Sequence, residues 1–135
     1  MVGLGYVGLP LATAFAEAGL QVAGIDLDRR KCERINAGHS ATQDVSSEAV
    51  ARLVQAGRLT ATPDYRPVAD ADVVIICVPT PLSKSRDPDI SYVISAVEAV
   101  TAQMHAGMLL VLESTTYPGT TEEVLLPRLA ARGYR

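Results

Sequence analysis

Gly3, Gly5 and Gly8 open the chain in the pattern G-x-G-x-x-G, within MVGLGYVGLP, and Asp26 follows 18 residues after the third glycine. Glycines at this spacing suit phosphate chemistry when a buried strand delivers the chain into the turn and a helix leaves it. The first glycine makes the tight turn, the second lets backbone approach a pyrophosphate, and the third lets helix pack on strand. The helix N-terminus then faces the phosphates with unpaired N–H groups and the positive end of its dipole. An acid about 20 residues further on accepts ribose hydroxyls and repels a 2′-phosphate, and Asp26 is so placed. The spacing therefore predicts a dinucleotide, with NAD favoured over NADP. Arg29 and Arg30 leave NADP open, because a nearby arginine can hold that phosphate, although solvated helix charges are their more ordinary reading.

The fingerprint alone is weak, so the elements around it carry the weight. Leu9 to Ala18 (LPLATAFAEA) is apolar nearly all round and reads as a buried helix, with Pro10 in its first turn and Gly19 at its C-cap. Gln21 to Ile25 is a short strand that ends at Asp26. Asp28 to Ala37 and Ser46 to Ala56 read as helices, stopped by Gly38 and Gly57; Ala49, Val50, Leu53 and Val54 share one face of the second. Ala71 to Val78 (ADVVIICV) has the continuous β-branched run of a strand covered on both faces, and Pro79 and Pro81 end it. Residues 83–89 (SKSRDPD) form a polar loop. Asp89 caps a helix running to about Met104, Gly107 breaks it, and Met108 to Leu112 is a further strand. Glu113 to Gly119 (ESTTYPG) is a loop and Thr121 to Ala131 a last helix. Strands alternating with helices predict an α/β fold, a doubly wound parallel sheet of Rossmann-like type. Only Met1 and Val2 precede the turn, so the first strand is expected to be truncated.

Composition bounds the function. At 135 residues one domain and one core are expected. With 48% hydrophobic residues, no Trp and one Phe, that core must be aliphatic. A net charge of -3 with scattered Lys and Arg gives no basic stripe for nucleic acid, and a small-molecule ligand is expected instead. Cys32 and Cys77 match no metal spacing and are too few for a disulfide framework, which reads as a reduced, cytoplasmic protein. No apolar run reaches the roughly 18 residues of a membrane span. His39 and His105, each without a partner acid at motif spacing, read as surface residues.

Four ordered blocks, GLGYVGLPLA, GIDLD with Lys31, VIICVPTPL and ESTTYPGTTEE, resemble the amino-terminal domain of the UDP-sugar 6-dehydrogenases. That family includes the UDP-glucose and UDP-N-acetylhexosamine dehydrogenases, and the resemblance runs over essentially the whole chain. It implies that Gly3, Gly5 and Gly8, with the backbone of Tyr6 and Val7, hold the pyrophosphate of NAD, while Asp26 and Lys31 contact the adenosine ribose. Without the resemblance, Lys31 reads equally well as an exposed helix lysine. Thr80, in VPTP, is similar to the threonine that lies along the cofactor, where the residues alone give a rigid turn. Thr115, in ESTT, matches the threonine near the nicotinamide, and Ser114 and Thr116 are otherwise ordinary loop hydroxyls. All these loops follow the carboxyl ends of strands, where open α/β sheets bind ligands.

The chemistry implied is oxidation of a sugar C6 alcohol to a carboxylate in two NAD-dependent hydride transfers. A cysteine thiolate traps the intermediate aldehyde, and water hydrolyses the resulting thioester. In the family that cysteine, with an assisting lysine and asparagine, lies in a later substrate domain. Cys32, on a helix, and Cys77, in a buried strand, read as structural. The expectation is an NAD-binding fragment without catalytic residues, its central helix and substrate domain absent, from a protein that forms a homodimer. PTPLSKSRDPDISYV leans toward the UDP-N-acetylglucosamine branch over the UDP-glucose branch. Two alternatives stand beside this reading: the cofactor domain of another NAD-dependent dehydrogenase, and a non-enzymatic nucleotide-sensing module.

Overall fold

A computed structural model describes residues 1–135, which separate into two units, Met1–Tyr65 and Arg66–Arg135. In the first unit Val2 forms a single parallel bridge to Ile25, with Ile25 N–H donating to the Met1 carbonyl and Gly3 N–H to the Ile25 carbonyl, each at 2.7 Å. Helix α1 (Gly8–Glu17) follows, then β1 (Val22–Ile25), α2 (Arg29–Asn36), α3 (Ser47–Gln55) and β2 (Leu59–Thr62). β1 and β2 are parallel, Val22 opposite Leu59 and Ile25 opposite Thr62. Leu9, Ala12 and Ala16 of α1 meet Cys32, Ile35, Val50, Leu53 and Leu59 in one aliphatic core, which also takes in Leu4 from the glycine turn. Asp28 starts α2 by accepting the N–H groups of Arg30 and Lys31, and Ser46 starts α3 by accepting that of Ala49. Each such cap is worth about 1 kcal/mol.

β2 is absent from the sequence-based expectation, because LTAT has neither an apolar run nor a clear alternation. What fixes it lies elsewhere in the chain. On one side it pairs with β1; at Ala61 the Asn36 side chain, from the end of α2, donates Nδ2 to the carbonyl at 2.7 Å and accepts the N–H at 2.8 Å. The amide side chain thus stands where a neighbouring strand's peptide would, and it satisfies an edge that would otherwise be open to a second chain.

The second unit contains a 3-10 turn (Arg66–Asp70), β3 (Val73–Ile76), α4 (Ser91–Gln103), β4 (Leu109–Leu112), a π turn (Thr121–Leu125) and α5 (Leu126–Ala130). β3 and β4 are parallel, Val73 opposite Leu109 and Ile76 opposite Leu112. Val93, Val97 and Val100 of α4 are fully buried, as is Ile76. Several expectations are corrected here. β3 is shorter than Ala71–Val78: past Ile76 the amides of Glu113 and Ser114 both turn onto the Ile76 carbonyl, at 2.9 and 3.2 Å, and the ladder ends. Cys77 therefore lies beyond the strand and is half-buried. β3 is also not covered throughout, since Val73 and its partner Leu109 are 47% and 58% exposed. Asp89 does accept the N–H of Ser91 at 2.9 Å, but the helix starts at Ser91 and ends at Gln103. The polar loop closes on itself, Leu82 bridging Pro88. The last helix is not continuous α-helix. Pro127 has no N–H for the Glu123 carbonyl and crowds it, and the preceding turn widens, with Leu126 N–H reaching back to the Thr121 carbonyl.

His105 is exposed, as expected, yet both ring nitrogens face carbonyl oxygens: Nδ1 that of Ala106 and Nε2 that of Ala71, each at 2.9 Å. A neutral imidazole carries one N–H and serves one of them; only the imidazolium donates to both. The Ala106 and Ala71 carbonyls accordingly raise the His105 pKa above 6.5, with Asp72 and Asp70 adding to the effect.

Two outcomes follow from these contacts. Asn36→Ala removes both hydrogen bonds to Ala61 and lowers unfolding stability by about 1–3 kcal/mol, read from urea denaturation. Because the folded-state pKa of His105 is raised, its contribution is complete below pH 6.5 and is lost as pH rises through the folded value. The melting-temperature difference between the unsubstituted chain and His105→Ala is therefore largest in acid and shrinks toward alkaline pH.

Candidate cofactor site

In the first unit the site is built around one hairpin of chain. Gly3 has a φ of +94°, a conformation that a side chain strains and glycine adopts freely. The chain then turns through Leu4, Gly5, Tyr6 and Val7 into α1, whose first turn has no side-chain cap. Leu9 N–H returns to the Gly5 carbonyl and Leu11 N–H to that of Val7, while the N–H groups of Tyr6, Val7 and Gly8 donate to no group of the chain. Tyr6 and Val7 are 77% and 57% exposed. A Cβ placed on Gly5 would meet no atom within 4 Å, so the protein's own packing does not demand glycine there. These are the properties of an anion cradle: open backbone, free amides and the positive end of a ten-residue helix.

Asp26 stands immediately after β1. Its Oδ2 accepts the Leu4 N–H at 2.9 Å and the Lys31 ammonium at 3.2 Å, and its Oδ1 accepts the Asp28 N–H at 2.9 Å. The carboxylate is 14% exposed and the lysine side chain 27%. Sequence spacing had brought Asp26 to the turn; the structure adds that Lys31, on the first turn of α2, is aimed back at it by the Asp28 cap. Tyr65 is a neighbour that sequence reasoning did not find. Burial raises its phenol, and the Asp26 charge raises it further. The signal for it would have been β2, whose end lies beside Asp26: the Asp26 N–H donates to the Thr62 carbonyl at 3.2 Å.

The remaining candidates lie in the second unit. Thr80 is half-buried in the segment after β3, and Thr115 is exposed in the segment after β4. Ser114, which reads from sequence as an ordinary loop hydroxyl, joins those two segments: its Oγ donates to the Val78 carbonyl at 2.9 Å. Beyond Thr115, a polar depression of about 220 Å³ is lined by Thr116, Tyr117, Gly119, Thr120, Thr121 and Glu122. Neither cysteine is presented as a nucleophile. Burial raises the Cys32 thiol, whose Sγ donates to the Asp26 carbonyl, and burial followed by the Glu113 charge raises that of Cys77. No group of three metal-ligating side chains occurs, and no helix is long and apolar enough to cross a membrane.

A glycine turn entering a buried helix, with an acid at the end of the next parallel strand, defines a dinucleotide-binding domain of Rossmann type. Residues 1–134 match the UDP-glucose/GDP-mannose dehydrogenase family, NAD binding domain, and the chain belongs to that family. It is 40% identical over 126 residues to the UDP-N-acetyl-D-mannosamine dehydrogenase of Escherichia coli K12, covering 92% of this chain and 29% of that protein. It is 36% identical over 130 residues to the UDP-N-acetyl-D-glucosamine 6-dehydrogenase of Salmonella typhi, covering 96% of this chain and 30% of that one. A ternary complex of GDP-mannose dehydrogenase from Pseudomonas aeruginosa superposes with a TM-score of 0.93 at 31% identity, over 99% of this chain and 32% of that one. The chain therefore spans just under a third of the length of these relatives. The cofactor of the family domain is NAD, and the glycine turn found here has the open backbone that a pyrophosphate needs.

Both thiols being raised above 9.0, each stays protonated at neutral pH. Iodoacetamide is expected to label them more slowly than it labels a free solvated cysteine at pH 7, as mass spectrometry of the folded chain would show.

Proposed function

We propose that this chain binds the NAD of an enzyme that oxidises the C6 alcohol of a UDP-linked N-acetylhexosamine to the uronate, in two hydride transfers. The carrying observation is the trio of unpartnered amides, Tyr6, Val7 and Gly8, at the start of α1 above a glycine whose Cβ direction is empty. Bound there, NAD supplies the hydride acceptor. The chain's own part is to hold and orient it. Gly3, Gly5, Gly8 and the backbone of Tyr6 and Val7 take the pyrophosphate. Asp26 and Lys31 take the adenosine ribose, and their geometry divides the task. A carboxylate has about four acceptor positions, and Leu4, Asp28 and Lys31 use three of those on Asp26. The one left accepts a single ribose hydroxyl, while Lys31, with donors to spare, serves the vicinal one. A 2′-phosphate would bring a dianion against a carboxylate that is 14% exposed and poorly screened, which favours NAD over NADP. Thr80 is assigned a place along the cofactor and Thr115 one near the nicotinamide, both on the resemblance of their motifs.

The N-acetylhexosamine reading is supported by relatives at 40 and 36% identity that are named for UDP-N-acetylmannosamine and UDP-N-acetylglucosamine respectively. PTPLSKSRDPDISYV adds a lean toward the UDP-N-acetylglucosamine branch over the UDP-glucose branch. The active cysteine and the dimer interface are assigned to parts of the protein outside these residues.

Saturating NAD should raise the melting temperature of the chain, and NADP at the same concentration should not; equal shifts would refute the Asp26 assignment. Asp26→Asn, which loses the charge on those hydrogen bonds, should weaken NAD binding by about 1.5–3 kcal/mol, or roughly 10- to 100-fold, by calorimetric titration. In the intact protein, NADH release with UDP-N-acetylglucosamine exceeding that with UDP-glucose would support the substrate reading, and the reverse order would overturn it.

A further inference from the structure

Gly24 lies in the middle of β1, is buried, and belongs to no part of the glycine fingerprint. A Cβ built on it would fall 2.7 Å from Cδ2 of Leu4, 2.8 Å from its Cδ1 and 3.2 Å from its Cγ. Leu4 is the residue between the first two fingerprint glycines, and it is fully buried among Leu9, Ala12, Cys32 and Leu59. Its side chain is enclosed by that core, so any shift that makes room for a new Cβ has to displace core neighbours. Its amide is held as well, on Asp26 Oδ2 at 2.9 Å, and the amide of Gly3 is held on the Ile25 carbonyl at 2.7 Å. Three successive residues, Gly24, Ile25 and Asp26, thus grip the turn at a side chain and two amides.

We propose that Gly24 is a positioning residue for the cofactor. It is the seat that sets the depth of Leu4, and through Leu4 the height of Gly5 and of the free amides at the start of α1. A methyl group at position 24 lifts Leu4 and carries the cradle out of register with the phosphates it receives. Binding sites tolerate displacements of only about 0.5 Å, so the effect falls on affinity for NAD. This inference rests on the reading of the turn as the pyrophosphate site. It adds a residue that touches no cofactor atom.

The test is a cycle of Gly24→Ala, Leu4→Ala and the double variant in the intact protein, with the dissociation constant for NAD and the melting temperature measured for each. Gly24→Ala is expected to weaken NAD binding about tenfold or more, and the double variant to bind NAD more tightly than Gly24→Ala, because removing Cγ, Cδ1 and Cδ2 of Leu4 frees the space the new methyl needs. A role confined to stability predicts no such rescue, since the double variant has lost the larger apolar side chain. Unchanged affinity in Gly24→Ala, or a double variant no better than it, overturns the proposal. If Gly24→Ala does not fold, the double variant is compared with Leu4→Ala: affinities within about threefold support the proposal, and a loss of about tenfold overturns it. Absence of NAD binding by the unsubstituted protein overturns the cofactor reading itself and this inference with it, whereas normal binding that Gly24→Ala leaves untouched removes only the positioning role.

Discussion

The hydrogen bond from the Leu4 amide to the Asp26 carboxylate joins two stretches of chain 22 residues apart, and the first unit is organised around it. Asp26 is an anion with little solvent around it, so it needs donors; the turn has amides that the helix cannot use, so it needs acceptors. Each solves the other's difficulty. The Lys31 ammonium then brings α2 into the same arrangement, and the Asp28 cap fixes where that helix begins. A carboxylate so committed is rigid before any ligand arrives, and a preorganised site loses less conformational freedom on binding.

The second unit reaches a comparable result with neutral groups. The Ile76 carbonyl receives two amides from the start of the next loop, and the Ser114 hydroxyl crosses to the Val78 carbonyl. Those contacts end the β3–β4 ladder and shape the segments on either side of Thr80 and Thr115. Pro127 acts at longer range. By widening the turn before it, it leaves the Val124 carbonyl to the Arg128 guanidinium, which donates to it at 2.9 Å. Irregular backbone here keeps its hydrogen bonds through side chains, which is the ordinary requirement for a partly buried polar group.

What could be read from the sequence was whatever repeats a local pattern. The glycine spacing, the acid at the end of β1, the helices beginning near Asp28 and Ser46 and the aliphatic faces of α1 and α3 all express themselves within a few residues, and four motif blocks in order carried the family. What escaped was set by partners distant in the chain. LTAT becomes β2 because β1 lies on one side and Asn36 covers Ala61 on the other, and neither fact is local. Nothing local to Gly24 shows that the Leu4 side chain occupies the place where its own would be. Tyr65 was lost along with β2, since it has meaning only relative to the end of that strand. The length of β3 was overestimated because a β-branched run records propensity, whereas the ladder stops where the partner's amides turn away.

Gly5 and Gly24 are both glycines near the same turn, yet they answer to different selectors. The space beside Gly24 is filled by Leu4, so a larger residue there disturbs the packing of the turn and, on the proposal above, the cradle along with it. The space beside Gly5 is empty of protein atoms. A side chain at Gly5 meets no protein atom, so on the proposed reading its cost falls on nucleotide binding and not on the packing that a quality-control system senses. On that reading, a survey of variants scored for abundance alone would mark Gly24 and leave Gly5 unmarked.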